Sequence, residues 1–332
     1  MHEMRDRPLP VSIGLPRLVG GAVATVGSFD GVHRGHGDLL RRLVERASVR
    51  NLPSILVTFE PHPLEIVNPP AAPLLLTPGS ERLEVLADTG IDYVVILPFT
   101  RQLASYGAVE FVERILLERY GTRELLIGYD HGLGRGREGD VAMLRELGKQ
   151  HGFPVEVVDA VMVDGVAVSS SAVRRAVSYG DLGEAARLLG RRYSLSGEVG
   201  QGDQRGRRIG FPTMNIRLPS SRKLLPPSGV YAVVLQSVRG SFGGMMNLGP
   251  RPTFGDPSSS VEVHAFDASG DWYRENVRLE FVSRLRDIQR FGSVDALSAQ
   301  LAIDAREARR ALTQVEERDT LRGFASNPSS FR

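Results

Sequence analysis

Apolar and polar positions follow two rhythms along the chain. In the first half, short apolar runs at 22–27, 54–59, 93–97, 124–128 and 155–159 are bounded by Gly or Pro and read as buried parallel strands. Helical spacing fills the gaps. In 37–50, Leu39, Leu40, Leu43, Val44 and Ala47 form one apolar stripe, and 80–89, 109–120 and 141–150 repeat the pattern. Five strand–helix alternations predict a doubly wound, Rossmann-like α/β sheet, with ligands beyond the carboxyl ends of its strands. The segment 169–189 reads as a helical pair broken at Tyr179-Gly180-Asp181.

After that pair the rhythm changes. Runs at 194–200, 230–237, 243–248, 261–266 and 277–282 are β-branched or of period two, separated by turn residues with no helical stripe between them. This predicts an antiparallel β-barrel or sandwich closed by a helix over 294–312. The boundary falls near Arg191, giving domains of 15–190 and 191–315 and a frayed tail of 316–332.

Composition narrows the chemistry. Among 332 residues there is no Cys, so disulfide frameworks, thiolate catalysis and Cys-based metal sites are excluded. That fits a reducing, cytoplasmic setting. The net charge of +2 is too small to predict nucleic-acid or membrane partners, and no apolar run approaches the ~20 residues of a membrane span. Residues 18–29 carry a faint leader-like composition, but their glycines and Asp30 favour a buried first strand. Only Lys149 and Lys223 among the 41 basic residues are lysine, so lysine-centred mechanisms have two candidates at most. No G-x-x-x-x-G-K-[ST] occurs, which excludes a P-loop.

The strongest local signal is Gly27-Ser28-Phe29-Asp30-Gly31-Val32-His33-Arg34-Gly35-His36, running from the first strand into the first helix. Gly31 and Gly35 permit a tight turn and close backbone approach, and the helix start offers free N–H groups to phosphate. His33 and His36, three apart, can face one anion and stabilise charge developing at phosphorus. Helix capping is the plainer role for such a pair. This H-x-G-H after the first strand resembles the nucleotidylyltransferase superfamily. Val168-Ser169-Ser170-Ser171-Ala172-Val173-Arg174 resembles that superfamily's serine–serine–threonine–x–x–arginine element, with Ser171 in place of threonine.

His62 closes the second strand within reach of the site. Gly134-x-Gly136-x-x-Gly139, with Asp159 beyond it, imitates a dinucleotide fingerprint, although six residues separate it from the strand end at Gly128. The dehydrogenase reading it suggests competes with a loop folding over nucleotide or flavin phosphates. A zinc site of His33, His36, His62 and His131 is disfavoured by the arginines at 34, 135 and 137.

The barrel half opens with a Gly/Arg loop, including Gly206, Arg207 and Gly210, leading into Pro212-Thr213-Met214-Asn215. Glycine N–H groups can cradle phosphate. Thr213 and Asn215 point the same way on extended chain, an oxygen perch for Mg²⁺ and nucleotide. In 261–266, Glu262 and His264 share the face opposite the apolar set, and a carboxylate there suits a general base in a kinase. An ordinary solvent-facing residue at 262, and a solvated or RNA-binding basic loop at 205–208, are the competing readings.

Together these segments resemble the bacterial bifunctional riboflavin kinase and FMN adenylyltransferase (FAD synthetase) family, from Gly27 to about Ala311. Further matches are Gly229-Val230-Tyr231, Asn247-Leu248-Gly249-Pro250-Arg251-Pro252-Thr253-Phe254 and Leu285-Arg286-Asp287. The resemblance implies that the barrel phosphorylates riboflavin with ATP and Mg²⁺, and that the α/β domain joins AMP from ATP to FMN, releasing pyrophosphate. It implies that Glu262 is the base and that Thr213 and Asn215 hold Mg²⁺. It assigns His33 and His36 to the transition state. Gly27, Phe29, Asp30, Gly35, Ser170, Ser171 and Arg174, with Gly206, Arg207 and Gly210 in the barrel half, fall to nucleotide and phosphate. His62, Asp130 and Arg137 fall to the flavin side. His131 and Leu133 stand where the family's Asp-Phe-x-Phe-Gly loop carries aromatics, and Met214 replaces a small residue.

Overall fold

In the computed structural model, which describes residues 11–12, 18, 20–201, 206, 210–250 and 259–321, the two rhythms become two architectures. By contacts the chain divides into two compact units. One takes the residues through Leu75 and Arg82–Ser170; the other takes Leu76–Glu81 and the residues from Ser171.

The first unit is a six-stranded parallel sheet. Its strands are β1 (Val11–Ser12), β2 (Ala22–Val26), β3 (Ser54–Glu60), β4 (Tyr93–Pro98), β5 (Thr122–Gly128) and β6 (Val155–Val158), in the order β1-β4-β3-β2-β5-β6. Ala22, Ala24 and Val26 enter one apolar cluster and Val23 the other, because alternate side chains face opposite sides of a sheet covered on both. The helices that follow the strands are α1 (Arg34–Arg50), α2 (Pro63–Val67), α3 (Ser80–Ala87), α4 (Arg101–Ser105), α5 (Ala108–Phe111) and α6 (Val141–His151). The leader-like stretch is thus the buried centre of the sheet.

Three boundaries differ from expectation for local reasons. Helix α1 starts at Arg34 rather than 37, because the His33 side chain caps it. The predicted helix over 109–120 begins as α5 but widens into a π-helix over Val112–Arg119. The small hairpin β7 (Met162–Val163) and β8 (Val166–Ala167) is too short for periodicity to show. The broken helical pair appears as α7 (Ser170–Tyr179) and α8 (Leu182–Leu189), the latter stopped by Gly190 in the left-handed region.

The second unit closes β9 (Ser194–Gly200), β10 (Met214–Arg217), β11 (Gly229–Ser237), β12 (Gly240–Pro250), β13 (Ser259–Ala265) and β14 (Asn276–Arg286) into an antiparallel barrel. Closure, rather than a sandwich, comes from β10, which pairs with β9 on one side and β13 on the other. Four residues give too short an alternation to mark β10 in the sequence, where they follow the Pro-Thr turn as extended chain. Helix α9 (Val294–Leu321) packs on the barrel through Ala308 and Leu312, and it runs past the expected end at 312. Within this unit Lys223 is buried and donates to the Glu81 carboxylate, to Leu76 O at 2.7 Å and to Ser194 O at 2.6 Å. The remainder of the tail, 322–332, lies outside the described residues.

Candidate active sites

Strand β2 lies where strand order reverses, with β3 on one side and β5 on the other, and it is beyond the carboxyl end of such a strand that open α/β sheets bind their ligands. The chain leaving it coils tightly: Phe29, Gly31 and Val32 have φ of +49°, +82° and +39°. Such left-handed backbone is costly for Phe and Val and persists where surroundings hold it. Buried Asp30 and His33 are 2% and 7% exposed. The Asp30 carbonyl accepts the Ser170 hydroxyl at 2.8 Å. The Ser28 carbonyl accepts Arg82 Nη1 at 2.9 Å and Thr58 Oγ1 at 3.2 Å.

This frame sets the two imidazoles. His33 Nδ1 accepts the His36 backbone N–H at 3.3 Å, so a neutral His33 ring carries its proton on Nε2. The two rings stack with centroids 3.7 Å apart and planes 15° from parallel, and the Phe29 ring lies 4.7 Å from His36. Capping, the plainer role, is therefore real for His33, and it is also what aligns the pair. Helix α1 has no acidic residue in its first turn, which leaves the positive end of its dipole available to an anion. Gly35 completes the turn, and a Cβ there would meet the His33 ring at 3.2 Å.

The other candidates are placed by contacts of their own. Gly27 continues β2 and bonds to Val57 O at 3.0 Å. Ser171 is exposed and Arg174 half-buried on α7, and both are grouped with the second unit. His62 caps α2: its Nδ1 accepts Leu64 N–H at 3.2 Å, and Glu65 accepts the His62 N–H in return. Asp130 is exposed, and its carbonyl accepts Arg137 Nη2 at 2.7 Å.

Two glycines of the apparent dinucleotide fingerprint, Gly134 and Gly139, serve packing instead, while Gly136 faces open space at φ +65°. Gly134 lies against the Gly107–Ala108 backbone, where a Cβ would come within 2.5 Å of Ala108 N, and Leu133 bridges to Gly139. The loop makes one turn of 3-10 helix, and α6 starts only at Val141, so no strand–turn–helix dinucleotide cradle forms there. His131 sits inside this loop. Burial holds its pKa down to about 4, with the Arg137 charge lowering it further and Asp130 opposing. Its Nε2 has no hydrogen-bond partner among the described residues.

In the barrel, register does what capping does in the first unit. Asn215 on β10 pairs directly with Glu262 on β13, and Glu262 pairs directly with Asn247 on β12. Directly opposed residues share a face, with Cβ atoms ~5 Å apart. Val261 and Val263 are buried on the other face of β13, while Glu262 and His264 are half-buried. His264 Nδ1 lies 2.8 Å from Pro212 O, tying β13 to the turn that carries Thr213, which is exposed. Gly206 bonds through its carbonyl to Phe211 N–H at 2.9 Å, and a Cβ there would collide with Phe211 O. Gly210, at φ +82°, precedes it in the same turn. Arg207 and residues 251–254 lie outside the described residues.

The loop after β14 is anchored by a buried pair. Arg286 donates to both oxygens of Asp304 on α9, at 2.8 and 2.7 Å, and Gln300 adds a bond of 2.9 Å. Asp304 and Arg82 were not singled out from sequence. In α3, Arg82 shares a helical stripe with buried Val85 and Leu86, and a charge on an apolar stripe is the signal that marks it.

Comparison with known proteins agrees with this division. The FAD synthetase family model matches residues 16–172, and the riboflavin kinase model matches residues 189–312. The chain is 41% identical over 290 residues to the bifunctional riboflavin kinase/FMN adenylyltransferase of Escherichia coli strain K12, covering 87% of this chain and 92% of that protein. Identity to the Haemophilus influenzae protein of the same name is 37% over 294 residues, covering 88% and 95%. A Streptococcus pneumoniae crystal structure named as a macrolide-efflux protein superposes with a TM-score of 0.79 at 31% identity, covering 90% of this chain and 96% of that one. Among the described residues no helix is long and apolar enough to cross a membrane.

Proposed function

The chain belongs to the bifunctional riboflavin kinase/FMN adenylyltransferase family, and from that premise we propose which residues carry each reaction. It phosphorylates riboflavin to FMN and adenylylates FMN to FAD with release of pyrophosphate, using ATP in both steps.

Adenylyl transfer belongs to the region beyond β2. An FMN phosphate oxygen attacks the α-phosphorus of ATP, the bond to the β-phosphate bridging oxygen breaks, and pyrophosphate leaves. Negative charge grows on the transferring and leaving phosphates. The Nε2–H of His33, the His36 ring and the start of α1 meet that charge with preorganised donors. Phe29 fixes the ring pair, and Gly27, Asp30 and Gly35 shape the backbone that ATP approaches. Ser170, Ser171 and Arg174 take the leaving phosphates; His62, Asp130 and Arg137 form the flavin side.

Riboflavin phosphorylation belongs to the row Asn215–Glu262–Asn247. Glu262 accepts the proton of the 5′-hydroxyl as its oxygen attacks the γ-phosphorus, and ADP leaves. The Thr213 hydroxyl and Asn215 amide oxygen are hard neutral donors beside a carboxylate, a set that fits Mg²⁺. When bound there, the ion would offset the charge of the ATP phosphates. Gly206, Arg207 and Gly210 take the phosphates on the loop side. The functional boundary lies near Arg191, with domains of 15–190 and 191–315, and the enzyme works in the cytoplasm on small-molecule substrates.

The observation that carries this reading is the local geometry at the heart of each site: stacked imidazoles on a capped helix start in the first unit, and a carboxylate between two asparagines on the barrel strands of the second. Incubating the full chain with riboflavin, ATP and Mg²⁺ and separating the flavins by chromatography tests it. FAD is the expected product. Accumulation of FMN alone removes the adenylyl-transfer half, and unchanged riboflavin beside FAD made from added FMN removes the kinase half.

A further inference from the structure

Two adjacent parallel strands, β2 and β3, deliver the parts of the adenylyl-transfer site: β2 leads to the stacked imidazoles and β3 to His62. Their carboxyl ends are joined from below by one side chain. Arg82 donates through Nη1 to Ser28 O at 2.9 Å, and through Nη2 to Phe59 O at 3.1 Å and to the Glu60 carboxylate at 2.9 Å. It is 5% exposed.

We propose that Arg82 is a positioning residue for FAD formation: it fixes the loop carrying His33 and His36 against the loop carrying His62, and so sets how ATP and FMN are presented to one another. This rests on the adenylyltransferase reading of the site.

The path is short and made of rigid parts. The Ser28 carbonyl belongs to the peptide plane that leads into Phe29, whose left-handed backbone needs external support. The Phe29 ring in turn packs 4.7 Å from His36. On the other strand, the Phe59 carbonyl and Glu60 carboxylate immediately precede Pro61 and His62. Thr58, on β3, also donates to the Ser28 carbonyl, but its hydroxyl reaches that one acceptor, whereas Arg82 holds Phe59 O and the Glu60 carboxylate at the same time.

A charge at this place is not explained by folding alone. Burial pushes the Arg82 guanidinium below its ordinary pKa, with the Glu60 and Asp30 charges opposing. Buried ion pairs are commonly replaceable by apolar side chains without loss of stability. Position 82 lies on the apolar stripe of α3, where Met or Leu would pack. What an apolar side chain cannot supply is a planar fork holding carbonyls from two strands at once.

The test uses the full chain as wild type, Arg82→Met and Arg82→Lys, with Arg46→Ala as a surface control. FAD formation from FMN and FMN formation from riboflavin are measured in the same preparations. Arg82→Met is expected to lower kcat for FAD formation by about 30-fold or more, with KM for FMN and ATP changed by less than about threefold. Riboflavin phosphorylation should stay within about twofold, and Arg82→Lys, which keeps the charge but not the planar fork, should make FAD at about a tenth to a third of the wild-type kcat. If folded Arg82→Met makes FAD at an unchanged kcat, or loses both activities equally, the inference is overturned. If Arg82→Met does not fold, Arg82→Lys decides: a kcat loss confined to FAD formation supports the inference, and an unchanged kcat overturns it. A wild-type chain that makes no FAD from FMN overturns the reading of the site and the inference with it; active wild type beside an unimpaired variant overturns the inference alone.

Discussion

The two sites of this chain are built by opposite means. Beyond β2 the chemistry rests on backbone: consecutive left-handed residues, a histidine that caps its own helix, and carbonyls tied to Arg82, Thr58 and Ser170. In the barrel the ladders of β10, β12 and β13 are regular, and the chemistry rests on which side chains fall opposite one another: Asn215, Glu262 and Asn247 on three neighbouring strands. A site of the first kind is sensitive to anchors that never touch a ligand. A site of the second kind is sensitive to its own exposed face and to whatever keeps the barrel closed.

The sharpest way to break that comparison is to show that the sites are not separable. His36→Ala should reduce FAD formation by about 10²–10³-fold while riboflavin phosphorylation stays within about twofold. Glu262→Gln should do the reverse, lowering FMN formation by about 10²–10⁴-fold, the range for a lost general base. Steady-state assays of both reactions on each purified variant check this. Either substitution lowering both reactions alike would mean one shared site rather than two.

The next effect concerns barrel closure. Asp304 is fully buried and takes both bonds of the Arg286 fork, so Asp304→Ala leaves a largely buried guanidinium without its carboxylate. The expected loss is about 3–5 kcal/mol of barrel stability. The single tryptophan, Trp272, is buried in the second unit between Phe242 and Arg239, so its fluorescence during urea unfolding reports on the barrel. FAD formation from FMN should persist at urea concentrations above the midpoint of that transition. If it vanishes together with the Trp272 signal, the α/β unit does not stand by itself.

What could be read from sequence follows the same division. Five of the six strands of the sheet were legible because both faces are covered, which makes them largely apolar runs, whereas β1, of two residues, was too short to show, and the histidine pair was legible because the turn before α1 needs glycines at fixed places. Glu262 was legible as a face residue because β13 alternates cleanly. The rest was hidden by short range. Strand β10 spans four residues and owes its existence to partners on β9 and β13. The role of Asn247 as a neighbour of Glu262 depends on the β12–β13 register, which periodicity leaves open. Arg82 and Asp304 act through partners 18 to 54 residues away, so only their unusual place on apolar helix faces announced them. The glycine fingerprint matched a dinucleotide spacing for the converse reason: Gly134 and Gly139 are required by close contacts with Gly107, Ala108 and Leu133, and Gly136 by its left-handed backbone.

The smallest expected effect separates the two units by pH. His131 is held in the loop after β5 with a pKa of about 4, against 6.5 for an unconstrained imidazole. Between pH 6.5 and about 4 the unfolded chain takes up a proton that the folded chain refuses. Stability from this group is therefore complete above pH 6.5, declines as pH falls, and is lost once pH passes about 4. The span of the shift sets a ceiling of about 3 kcal/mol. His131→Phe removes the imidazole and restores the ring type of the Asp-Phe-x-Phe-Gly form, so the wild type should lose stability relative to it as pH drops from 7 to 4. Urea midpoints followed by far-UV circular dichroism at several pH values measure the difference, while Trp272 fluorescence should show no such divergence for the barrel. The loop's exposed arginines at 135 and 137 allow it to open locally, and opening would let His131 protonate without unfolding the sheet. A divergence that levels off well short of the ceiling measures the free energy of that opening. A divergence absent altogether would place the imidazole in water, and the orphaned Nε2 could no longer count as a buried group.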